Sequence, residues 1–228
     1  MQTPKDIHNA KRGSDHGCVR KAYDILGGLC FNLHAVSDDN PPGDGFRANE
    51  VSLGHVLRIT REASEQLVQL LDCSCTPSPS LAFLHATIIA RIFTWYHDAT
   101  LSLYNDSMRP SPSANSSISG TASSETSSLV CPSTAATSIA SASIAIGSFS
   151  VDDRRVDAAV KIQLLLGEMR RATILSSHFV VQGCSAQRDR TELESMESLF
   201  QSLNTWLTGE HSRVINIIKT KLRDLNSC

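Results

Sequence analysis

A chain of 228 residues can hold one substantial hydrophobic core or two small ones, because domains commonly run about 100–150 residues. With 21 Lys plus Arg against 23 Asp plus Glu, the net charge of -2 supplies no global attraction to nucleic acid or to an anionic membrane. The opening MQTPKDIHNAKRG is polar and charged with no apolar run behind it, which argues against a secretory signal or a mitochondrial leader and for a cytosolic or nuclear home.

Residues 1–16 are expected to form a flexible N-terminus. A first helix is predicted over Cys18–Leu33, weakened by Gly27 and Gly28, each costing about 1 kcal/mol relative to Ala inside a helix. The segment SDDNPPGDG reads as a loop by its Asn, Pro and Gly content. A second helix is predicted over Glu50–Leu71, with Val56, Ile59, Ala63, Leu67 and Leu70 recurring at three- and four-residue steps. A third starts at Ser78-Pro79, Ser as N-cap and Pro as first helical residue, and continues to Tyr104. It is apolar on most faces, which assigns it to the centre of the core. Its stretch LAFLHATIIARIFTWY is interrupted by His85 and Arg91 and is shorter than the ~20 residues of a membrane span, so no membrane segment is assigned.

From Ser111 to Ser148 the chain has 18 Ser or Thr in 38 positions and a single charged residue, Glu125. Such a stretch lacks the large apolar side chains that offset an ordering cost of roughly 1–2 kcal/mol per residue, so residues 105–148 are expected to be a disordered linker. Its tail, SIASASIAIGSF, alternates Ile with small residues and is the one part with the pattern of an extended strap. Beyond it, Ser150 and Asp153 have the spacing of a capping-box variant. The helix they open, of about seven turns, keeps Ala158, Ile162, Leu165, Met169 and Ala172 on one face. Thr191 and Glu194 form a second capping box. It leads into Leu193, Met196, Phe200, Leu203, Leu207, His211, Val214, Ile218 and Leu225, with Gly209 as a point to kink or split the helix. The expectation is all-α: a single bundle of about five long helices. Residues 17–104 form its first part and 149–228 an antiparallel hairpin closing on it, with the Ser/Thr-rich insertion between.

No chemistry stands out. Seven cysteines, odd in number and scattered, are read as reduced thiols. Cys73-Ser-Cys75 lacks partner Cys or His at zinc-site spacing, and is read as a turn between helices with one thiol buried. His97 and Asp98 are adjacent on a helix and point about 100° apart, so neither is expected to orient the other as a general base; Trp95 is read as a core anchor. His211, between Leu207 and Val214, is read as a core histidine satisfied by a neighbouring backbone group rather than a ligand or a pH sensor. His34, His55, His85 and His178 lack an i,i+4 partner and stay unassigned. Lys219, Lys221 and Arg223 fit the favourable C-terminal end of a helix dipole, and with Arg170-Arg171 leave a phosphate patch as the weaker alternative. With no glycine-rich phosphate loop, no G-x-S-x-G elbow and no catalytic carboxylate pair, no catalytic, cofactor-binding or metal-ligating residue is assigned.

Four segments carry a resemblance: VLRITREASEQLVQLLDCSC, SLAFLHATIIARIFTWYHDA, IGSFSVDDRRVDAAVKIQLLLGEMRR and FQSLNTWLTGEHSRVINIIKTKLRDLN. They are similar, in that order, to the family domain of the aflatoxin regulatory protein of fungal zinc-cluster transcription factors. Members usually join a six-cysteine zinc cluster to a Ser-rich linker and this helical domain. This sequence holds no such cluster, so the zinc ligands have no counterpart in it. The resemblance implies a nuclear, non-enzymatic regulator of a polyketide or mycotoxin-type gene cluster. Its partner is expected to be a transcriptional coactivator or a zinc-cluster partner protein, with a homodimer as a further option. DNA would be reached indirectly or through an N-terminal domain missing from this sequence. That reading predicts an exposed apolar or mixed groove on the bundle. Two alternatives stand beside it: a helical sensor holding a metabolite near Trp95 and His211, and an enzyme of the cluster with a perturbed Cys or His in a cavity.

Overall fold

In the computed structural model, residues 17–31, 50–73, 78–109, 138–140, 145–146, 149–151, 153–184 and 190–227 are described. The 1–16 terminus, the SDDNPPGDG loop, Cys75, His34 and most of the expected linker lie outside them. The described residues form an all-α bundle of five helices: α1 (Cys18–Phe31), α2 (Leu53–Leu71), α3 (Pro79–Ser107), α4 (Arg154–Cys184) and α5 (Arg190–Asn226).

Helix starts follow local chemistry. Ser78 Oγ accepts from the Leu81 amide at 3.2 Å with Pro79 opening α3, as the Ser-Pro pair predicts. The α2 start differs from the expectation. Glu50–Ser52 is extended (β1), Val51 is buried, and Ser52 is the N-cap, its Oγ accepting from the His55 amide at 3.1 Å. The α4 cap also differs, because Asp153 rather than Ser150 holds it. Its Oδ1 accepts from the amides of Arg155 at 2.8 Å and Val156 at 3.4 Å, placing a carboxylate at the positive end of the helix dipole. Helix α5 is continuous through Gly209, so the glycine does not split it.

Two short ladders lie among the strands. β1 pairs in parallel with β2 (Ser138–Ala140), in the register Val51↔Ile139, and β3 (Ala145–Ile146) pairs antiparallel with β4 (Phe149–Ser150). Positions 138–140 and 145–146 belong to the SIASASIAIGSF tail, the one part of the expected linker with the pattern of an extended strap. The pairing of 138–140 with β1 fits that pattern and returns the chain to the start of α2.

Helix α3 is the hub. Trp95 Nε1 donates to Leu29 O of α1 at 3.0 Å, and Tyr96 Oη donates to Thr60 Oγ1 of α2 at 3.1 Å. Phe93 packs on His211 of α5, and His85 faces Gln182 of α4 at 3.3 Å. The hairpin is antiparallel along its length. Arg155 reaches the carbonyls of Asp224 and Leu225 at 3.3 and 3.1 Å, Thr173 meets His211 at 3.0 Å, and Phe179 stacks on Phe200. The stripes predicted for α2 and α4 are buried residue for residue.

Candidate functional site

Helix α4 is apolar on two opposite faces. At about 100° per residue, the buried set from Ala158 to Phe179 occupies the side against α3 and α5, whereas Val156, Val160, Leu164, Ile174 and Val181 fall within an arc of about 100° on the other side. These five side chains are 44 to 67% exposed and make up half of the ten large exposed hydrophobics among the described residues. Scattered single exposures are ordinary, but these five lie on one side of one helix along about 37 Å, a side they share with Gln163, Gly167, Arg171 and His178. The sequence signal was available as the 156, 160, 164 and 174, 181 steps. It went unread because the inner stripe alone accounted for the helix.

A groove flanks each end of this face. The first, about 540 Å³, has a floor of Val156, Ala159, Val160, Leu222 and Leu225 between α4 and α5, with Asp153, Gln163 and Asn226 at its rim. The second, about 190 Å³, lies between α2 and α4 over Tyr96, beside Ile174, and is walled by Val68, Ala172 and Leu175. That volume falls below the roughly 300 Å³ at which small-molecule pockets begin. Its polar wall is rigid. Arg61 forks onto the buried Glu168 at 2.6 and 3.2 Å, Arg171 stands 3.9 Å from the same carboxylate, and the bond to Glu168 raises the Arg61 guanidinium above its ordinary range. Burial pushes the Tyr96 phenol up, keeping it a protonated donor to Thr60.

The sequence candidates resolve individually. Trp95 faces α1 and His211 faces α4, where its Nε2 lies 3.2 Å from Met169 O, so the structure does not bring the two together into one pocket. His97 Nδ1 and Asp98 Oδ1 do meet, at 2.9 Å, contrary to the expectation that adjacent helical residues diverge; side-chain torsions bridge the angular gap. His178 sits 3.5 Å from Asp72, and His55 is held below the ordinary imidazole range by partial burial and by Arg58. His85 is fully buried, and desolvation lowers it to about 4. Lys221 lies over the Tyr104 ring at 4.0 Å, tying α5 to α3, while the carbonyls ending α5 are met by Arg155 rather than by the terminal lysines. Among the described residues no group of three His, Cys, Asp or Glu could hold a metal, and no helix is long and apolar enough to cross a membrane.

The fold is a helical bundle with exposed apolar side chains along one side of α4 and a groove at each end of that side. Residues 14–116 match the family described as aflatoxin regulatory protein. The family match covers α1 to α3 and stops short of α4 and α5, a narrower extent than the four segments suggested. Among curated relatives, the chain is 22% identical over 191 residues to the aurofusarin biosynthesis regulatory protein of Gibberella zeae, covering 75% of this chain and 45% of the relative. It is 27% identical over 93 residues to the fusarubin cluster-specific transcription factor of Gibberella fujikuroi, covering 40% of this chain and 28% of the relative. The chain thus spans less than half the length of either relative. No solved structure matches it.

Proposed function

We propose that this chain is the regulatory domain of a nuclear transcription factor that controls a fungal secondary-metabolite gene cluster, acting through protein contacts and not as an enzyme. The observation that carries this reading is the family match over residues 14–116, supported by the similarity to the aurofusarin regulator, which extends over most of the chain. The contact surface is the outer face of α4 with its two flanking grooves. The partner is a transcriptional coactivator or a zinc-cluster protein presenting an apolar helix flanked by acidic residues. Arg170 and Arg171 border the middle of the face, while the α4 carboxylates Asp157 and Glu168 are buried in ion pairs with Lys161 and Arg61. Self-pairing through this face would set arginine against arginine, so like-charge repulsion favours a different chain over a homodimer. DNA is reached through that partner or through an N-terminal DNA-reading domain.

The test fuses the chain to a heterologous DNA-binding domain and measures a reporter in a fungal host. The wild-type fusion shifts reporter transcription up or down. The pair Val160→Asp with Ile174→Asp removes about ten-fold of that shift, as expected for losing one strong contact, at unchanged thermal stability and nuclear abundance. A wild-type fusion that leaves the reporter at baseline, or a variant as effective as wild type, overturns the proposal.

A further inference from the structure

The start of α1 and the end of α2 bring two thiols together. Cys18 is the first residue of α1 and is buried, and Cys73 lies two residues beyond α2, its amide donating to Leu70 O at 3.2 Å. Their Sγ atoms stand 3.6 Å apart across 55 positions of sequence. A disulfide needs about 2.0 Å, so the sulfurs must approach by roughly 1.6 Å. Both residues sit at element ends, where a small torsional change moves Sγ without disturbing a helix interior. Cys73 is half-buried and the more accessible of the two residues, while Cys18 is buried.

We propose that Cys18 and Cys73 are a reversible oxidation site, a dithiol that a hydroperoxide converts to an intramolecular disulfide. This goes beyond the regulatory reading and does not depend on it. In the first step the Cys73 thiolate attacks one peroxide oxygen. The O–O bond breaks, Cys73 becomes a sulfenic acid, and the departing oxygen takes up the proton that the Cys73 thiol gave up in forming the thiolate, leaving as water, or as an alcohol from an organic hydroperoxide. In the second, the Cys18 sulfur attacks the Cys73 sulfur, the S–O bond breaks, and hydroxide leaves with the Cys18 proton as water. Two thiols are oxidised by two electrons, and the peroxide bond is reduced by the same two. A dithiol reductant reverses the change by exchange. The bond would tie the start of α1 to the turn between α2 and α3, all within the family-matched segment. Transient disulfides of this kind are how intracellular proteins use such pairs.

The experiment treats the purified, reduced full chain with hydrogen peroxide, followed by alkylation, peptide mapping and thermal melting. The expected result is a linked peptide pair containing Cys18 and Cys73, with a melting temperature higher by roughly 5–10 °C, as closing a loop of this length predicts. Dithiothreitol abolishes both changes. Cys73→Ser and, separately, Cys18→Ala remove them, whereas Cys75→Ser leaves them intact. Both thiols remaining open to alkylation after peroxide, a linkage of Cys73 to Cys75, or a cross-link between chains overturns the proposal. The wild-type peptide map decides the matter even if a variant folds poorly.

Discussion

At the scale of single residues, His85 carries the clearest consequence. It is fully enclosed between α3 and the end of α4, its Nδ1 is 3.3 Å from Gln182 Oε1, and its Nε2 is buried without a hydrogen-bond partner. Desolvation disfavours the imidazolium and lowers the group to about 4, against 6.5 for a free histidine. As pH falls below 6.5 the unfolded chain takes up this proton while the folded chain does not. Stability is therefore lost progressively from about pH 6.5 down to about pH 4 and is constant below that. Between pH 7.5 and pH 5.0 this single group should account for roughly 2 kcal/mol. Denaturant titrations at both values check this. His85→Leu should lose less stability than wild type on acidification by that amount, while an equal loss in both would place the acid sensitivity elsewhere. Nothing in the neighbouring sequence separates His85 from His178, which is half-exposed beside Asp72. Burial of a lone polar residue is decided by which helix covers it, and that is tertiary information.

At the scale of elements, the bidentate ion pair of the α2–α4 junction centres on one buried carboxylate. Glu168 is buried and holds the half-exposed Arg61 in a bidentate pair. Removing the arginine leaves the buried carboxylate with only the more distant and exposed Arg171, 3.9 Å away. Arg61→Met should therefore destabilise the bundle by about 2–3 kcal/mol, and adding Glu168→Leu should recover most of that. A double-mutant cycle by urea denaturation measures the coupling, and additive effects would show that the pair does not join the helices energetically. The elements themselves were largely legible in the sequence. The stripe Val56, Ile59, Ala63, Leu67 and Leu70 is a 3.6-residue repeat, and Ser78-Pro79 is a local start signal; both are properties of adjacent residues. The extended β1 was not legible, because its three residues are held by pairing with positions 138–140, and such a partner leaves no trace near Val51. The α4 cap was misassigned between two candidates three residues apart. Asp153 prevailed because its carboxylate accepts from two backbone amides and meets the helix dipole. The outer α4 stripe was present in the sequence, but a pattern shows only that a face is apolar. Whether another helix covers that face is a property of the fold.

At the scale of the whole molecule, the two helical parts are halves of one core. Helix α3 turns Trp95 towards α1 and Tyr96 towards α2, but Phe93 and Tyr104 towards α5 and His85 towards α4. The inner stripe of α4 and the Leu207, Val214 and Ile218 face of α5 are buried against what α3 presents. Neither part can dry its apolar surface alone, and a helical hairpin in isolation leaves half its stripe in water. The covalent link between the parts should then be dispensable once the chain has folded, since a connection adds only loop entropy to an interface of helix-on-helix packing. A protease recognition sequence inserted between Ser123 and Ser124 tests this directly. After cleavage of the folded protein the fragments should co-elute at the mass of the intact chain and melt in a single transition. The 17–109 part expressed without its partner should melt without a cooperative transition. Fragments that separate on the column, or that each melt cooperatively, would mean two domains in place of one bundle. In the single-bundle case the exposed side of α4 is coupled to the family-matched helices, because α4 is held through Arg61, Gln182 and Arg155 to three different neighbours. A ligand bound on that face stabilises the whole core, so partner binding should raise the melting temperature of α1 to α3 together with that of the hairpin.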